Sequence, residues 1–156
     1  KRQLLYMVKD LERIGDYGKN MAKRSLVMEP SLITEQGSNS LRRMTKDVIS
    51  MMNNALDAYV RKDVELAEAV IIQDKDIDLH YNALFREFLT FMMEDPKNIT
   101  TCMHLHFIAK NIERVGDYVT SIAEQAIYVA TGEYPSEERP KADTTSLTKV
   151  DSESAS

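Results

Sequence analysis

Glu12-Arg13-Ile14-Gly15-Asp16-Tyr17 and Glu113-Arg114-Val115-Gly116-Asp117-Tyr118 are one hexad written twice, at an offset of 101 residues. The register extends outward through Lys9/Lys110, Ala22/Ala123 and Leu26/Ile127. Around the first copy, Leu4, Met7, Leu11, Ile14, Gly18, Met21 and Ser25 recur at spacings of 3 and 4, the stripe of an amphipathic helix. Around the second copy, Leu105, Ile108, Ile112, Val115, Val119, Ile122, Ala126 and Val129 do the same. Two long helices with one interrupted pattern predict a duplicated helical bundle, of which the first copy contributes only its last helix.

Proline and glycine divide the rest, because proline cannot continue a helix and restricts the residue before it. The first helix is expected to end before Glu29-Pro30, followed by a Ser-, Asn- and Gly-rich loop over 30–40. A second helix then carries Leu41, Met44, Val48, Met51, Ala55 and Ala58, capped by Ser40 or Asn39. The Arg61-Lys62 pair suits its last turn, and Asp63 offers the N-cap of a third helix running to Glu94, before Pro96. The fourth starts near Thr100 and stops at Gly132. This divides the chain into residues 1–29, a last helix of a first repeat; 38–133, a three-helix bundle; and 134–156, a Ser/Thr-rich tail expected to be disordered. Lys1 is not Met, and Leu4 to Val8 is already in helical period, so the chain is expected to begin inside an element.

Composition narrows the chemistry. Glycine and proline together are 9 of 156 residues, too few for a turn-rich sandwich or barrel, and 43% hydrophobic residues support a core. A net charge of −5 provides no footprint for nucleic acid or an anionic membrane. The longest uncharged stretch, Asn98 to Ala109, is 12 residues, short of the ~20 that span a bilayer. The single Cys102 fits a reducing compartment and has no His and Asp arrangement that would make it a nucleophile. Phosphate-binding glycine loops and nucleophile elbows are absent, and no Glu has a His three residues later, which disfavours a di-iron oxidase. His80, His104 and His106 read as core or surface residues, and the nine Met as core filler.

The carboxylates carry the remaining signal. Glu12 with Asp16, and Glu113 with Asp117, stand one turn apart on one helix face, where like charges repel. Between them lies Gly15 or Gly116, a residue that costs a helix interior ~1 kcal/mol relative to Ala and so needs a reason, such as a close backbone approach. In the third helix Asp74 occupies a position in the stripe Val70, Ile77, Tyr81, Leu84, Phe88 and Phe91, with Asp78 one turn on. A carboxylate aimed at a core needs a partner. A single Glu-x-x-x-Asp is ordinarily a solvated face; the duplication and the stripe position of Asp74 favour convergence of Asp74, Asp78, Glu113 and Asp117 on one cation. All-oxygen ligands suit Mg²⁺, Ca²⁺, Mn²⁺ or iron.

Together with Phe91-Met92-Met93-Glu94-Asp95-Pro96 and Ile127-Tyr128-Val129-Ala130-Thr131-Gly132-Glu133, the hexads resemble the PhoU family of phosphate-transport regulators, over roughly residues 4 to 133. The resemblance implies an all-α fold, one complete three-helix bundle plus the last helix of a preceding one. It implies a metal cluster held by Asp74, Asp78, Glu113 and Asp117, with Glu12 and Asp16 serving the first bundle. Iron, Mn, Mg or Zn is the implied ion. A non-enzymatic, metal-binding adaptor between the phosphate ABC transporter and a sensor histidine kinase is further implied: a negative regulator, cytoplasmic, homodimeric and peripheral to inner-membrane partners. The competing readings are a metal-dependent bundle enzyme and a structural bundle without metal. One departure stands out: Asp16 is followed one turn later by Asn20, but Asp117 by Ser121. The stripe of residues 4 to 26, without its own bundle, is expected to be exposed and to drive self-association.

Overall fold

The second helix starts at Leu32, nine residues before the expected start at Leu41, and Ser31 is its N-cap. Its side chain accepts from the Thr34 backbone N–H at 3.1 Å, and α2 runs Leu32–Arg61. The expected loop over 30–40 is therefore mostly helix. Its Gly37 is buried and faces Leu105, whose Cδ1 lies 2.6 Å from where a Cβ would stand, so glycine there permits a close helix crossing. Lys62 terminates α2 in the left-handed region, with φ 55°. Asp63, as expected, caps α3 (Val64–Glu94) by accepting from the Leu66 N–H. A 3₁₀ turn over Pro96–Asn98 leads into α4 (Ile99–Thr131), which ends at Gly132 with φ 81°.

The structure, a computed structural model, describes residues 2–135, which form α1 (Arg2–Ser25), α2, α3, the 3₁₀ turn and α4 in that order, with no strand among the described residues. Helices α2, α3 and α4 pack on one another as a three-helix bundle. Its core is Met44, Met51, Val70, Ile77, Tyr81, Phe88, Leu105 and Ile122, all nearly inaccessible. Each such side chain contributes about 1.5–3 kcal/mol by leaving water. Met44 and Met51 are core filler as expected, whereas Met93 and Met103 are exposed, which corrects that expectation for them; Cys102 is buried. His80 lies exposed near Asp47, while His106 packs between Tyr81 and Phe85. Of the tail expected to be disordered over 134–156, residues 136–156 lie outside the described residues; at its start, Tyr134 stacks on Tyr128 and donates to Gln3.

The expectation that the stripe of α1 is exposed is corrected. Met7, Leu11, Ile14, Tyr17 and Met21 pack half-buried against the bundle, chiefly on α4. What α1 leaves exposed is Leu4, Leu5, Tyr6 and Val8. The two helices run antiparallel, as Arg24 with His104, Tyr17 with Tyr118, Asp10 with Ser121 and Gln125, and Gln3 with Tyr134 show. Tyr17 and Tyr118, equivalent residues of the hexads, meet with ring centroids 5.8 Å apart, and burial and the facing Tyr17 phenol push the Tyr118 hydroxyl up. The Asp10–Gln125 contact, moved by the repeat offset, becomes Asn111–Arg24, and those two residues line one cleft. Helices α1 and α4 are thus related by a local two-fold axis near the tyrosines.

Candidate metal centre

Asp74, Asp78, Glu113 and Asp117 share the interface where α3 faces α4. Helical spacing places Asp74 and Asp78 on the inner side of α3, at 6% and 2% exposure, and Glu113 on the inner side of α4, at 2%. Asp117, one turn on, is half-buried. Gly116 accounts for the approach: a Cβ there would stand 3.1 Å from Asp74 Oδ1 and 3.7 Å from Ile77 Cγ2. The glycine that local helix propensity disfavours makes the seat of the Asp74 carboxylate. Gly15 has no such neighbour; nothing lies within 4 Å of its Cβ position.

Electrostatics make the cluster costly. Burial pushes the Glu113 carboxyl up, the Asp117 and Asp78 charges push it further, and Lys110 pulls it back. Lys110 Nζ sits 3.2 Å from Glu113 Oε2, with its ammonium 4.8 Å from the Tyr81 ring centroid. The Oδ1 atoms of Asp74, Asp78 and Asp117 are buried and accept no hydrogen bond, although each of these residues has other polar contacts. Among the described residues, no three His, Cys, Asp or Glu side chains are gathered into a ready cradle for a metal. The four carboxylates share one interface, but Glu113 is held by Lys110.

The other predicted ligands lie elsewhere. Glu12 and Asp16 stand exposed on α1, which packs on α4, so the structure does not bring them into the α3–α4 cluster. Ser121, in place of Asn20, donates to Asp10 Oδ2 at 2.9 Å, and Gln125 Nε2 donates to the same oxygen at 2.8 Å. That contact ties α1 to α4 rather than serving the cluster. Sequence reasoning missed Lys110 as a site residue, although its place three residues before Glu113, matched by Lys9 before Glu12, was the available signal.

The PhoU domain description matches residues 41–126, from the third turn of α2 through most of α4. The chain belongs to the PhoU family. A protein named phosphate-specific transport system accessory protein PhoU homolog, from Rhizobium meliloti (strain 1021), is 48% identical over 137 residues, covering 88% of this chain and 58% of the relative. One of the same name from Caulobacter vibrioides (strain NA1000 / CB15N) is 45% identical over 133 residues, 85% of this chain and 58% of its own. The crystal structure of PhoU from Pseudomonas aeruginosa superposes with a TM-score of 0.73 at 36% identity, covering 81% of this chain and 61% of that one. The chain therefore spans about three fifths of the length of these PhoU relatives.

Proposed function

We propose that the chain serves as a non-enzymatic accessory and regulator of a phosphate transport system, and that Asp74, Asp78, Glu113 and Asp117 hold a metal ion in that role. The first part is supported by the names of its PhoU relatives, phosphate-specific transport system accessory proteins. The second is supported by one observation above the rest: Asp74 Oδ1 seated over Gly116, inside an interface that also buries Asp78 and Glu113. Oxygen donors from two facing helices fit Mg²⁺, Mn²⁺ or iron, and Zn²⁺ less well. A bound ion supplies positive charge where three buried carboxylates otherwise repel. Rotation of the Glu113 carboxyl away from Lys110 completes the donor set. In the finer reading the protein acts as a negative regulator, a cytoplasmic homodimeric adaptor between the phosphate ABC transporter and a sensor histidine kinase.

The test is thermal unfolding with and without Mn²⁺. A ligand that binds only the folded state at a hundredfold excess over its Kd stabilises by ~2.7 kcal/mol. Glu113→Ala is expected to abolish the Mn²⁺-dependent rise in Tm and the bound metal content, with Asp57→Ala on the exposed face of α2 changing neither. Full metal occupancy in the Glu113 variant would remove the metal reading. The regulatory reading is tested separately, by asking whether Glu113→Ala in the full-length protein relieves repression of phosphate-starvation genes.

A further inference from the structure

The cluster already contains a cation. Lys110 is anchored on two sides, by Glu113 Oε2 at 3.2 Å and by the ring of the buried Tyr81 at 4.8 Å. Its side chain is 32% exposed and lines an open cleft of about 530 Å³ between α1 and α4, whereas the Glu113 side chain is 3% exposed. The ammonium therefore has a route to water that the carboxylate lacks. Lysine also stands three residues before the glutamate in both hexads, Lys9 before Glu12 and Lys110 before Glu113. A buried carboxylate among like charges requires a counter-charge. A lysine provides one positive charge and directional donors, but it cannot bridge several carboxylates as a divalent ion does.

We propose that Lys110 is the resident counter-cation of the α3–α4 cluster: it holds Glu113 when no metal is bound, yields it when a metal binds, and by this competition sets the metal affinity. The inference rests on the metal reading above and adds its regulation. Lys110 is a positioning residue here, since it acts through Glu113. A purely structural lysine makes the opposite prediction, because its loss would loosen the interface and weaken metal binding.

Isothermal titration of Mn²⁺ into the metal-free chain distinguishes the two. Lys110→Met keeps the apolar stem over Tyr81 and removes the charge. It is expected to tighten Mn²⁺ binding by about tenfold or more, the worth of one charge-assisted hydrogen bond that the metal no longer has to displace. Lys110→Arg, which restores a cation, is expected to return the affinity to near the parent value. Lys110→Gln, judged by the same criterion, serves if the Met variant fails to fold by circular dichroism. Equal or weaker Mn²⁺ binding by a folded Lys110→Met or Lys110→Gln chain overturns this proposal alone. No Mn²⁺ uptake by the folded parent and variant overturns the metal reading with it.

Discussion

Gly15 and Gly116 hold the same place in the two hexads and face different surroundings. With nothing within 4 Å of its Cβ position, Gly15→Ala should gain ~0.5–1 kcal/mol of helix propensity, read as a higher urea midpoint. Gly116→Ala should gain little or lose, since its Cβ meets Asp74 Oδ1 at 3.1 Å. Glu113 adds a pH dependence. Its carboxyl is raised from the ordinary 4.5 by burial and by Asp117 and Asp78, so the folded state binds this proton more tightly than the unfolded one. The stabilising contribution is whole below pH 4.5 and is lost as the pH rises through the folded value. In the metal-free chain, Glu113→Gln should therefore gain stability relative to the parent as pH increases above 4.5, measured by urea unfolding across that range. Equal slopes would contradict it.

Among the four α-helices, α1 is the least secured, because no residue of it is buried. Its amides should exchange with deuterium faster than those of α3 and α4. Asp10→Ala should accelerate them further and cost about 1–3 kcal/mol, because it strips the acceptor from Gln125, which is 5% exposed, and from Ser121. Helices α3 and α4 were legible almost to the residue, since Asp63, Pro96 and Gly132 are local signals whose chemistry acts within one turn. The start of α2 was not. Gly37 and its polar neighbours resemble a loop in composition, and only contact with Leu105 reveals why a helix keeps glycine there. The stripe nonetheless continued backwards, as Ile33, Gly37 and Leu41 at spacings of four, beneath the Ser31 cap. The four carboxylates of the candidate site were legible from stripe position and repetition. Lys110 was not, because a lysine beside a stripe ordinarily lies in solvent, and its engagement depends on Tyr81 from another helix.

At the scale of the whole molecule, Leu4, Leu5, Tyr6 and Val8 are each at least half exposed along one end of α1, with Leu26 and Val27 beyond its other end. Apolar surface of this extent favours association. Sedimentation at increasing concentration should show a shift to larger species, and Leu5→Lys with Val8→Glu should suppress it without lowering helix content. No helix among the described residues is long and apolar enough to cross a membrane, so these side chains do not form part of a helical span.

Tyr17 meets Tyr118 across the axis that relates the two hexads, so each helix binds a surface equivalent to its own. This is the geometry of a homodimer contact enclosed in a single polypeptide. A gene encoding one such unit would have yielded a protein able to pair with itself, and duplication with fusion would convert that pairing from a concentration-dependent encounter into a permanent one. The face of α4 that α1 covers is thus a surface of the kind that two copies of one unit would share.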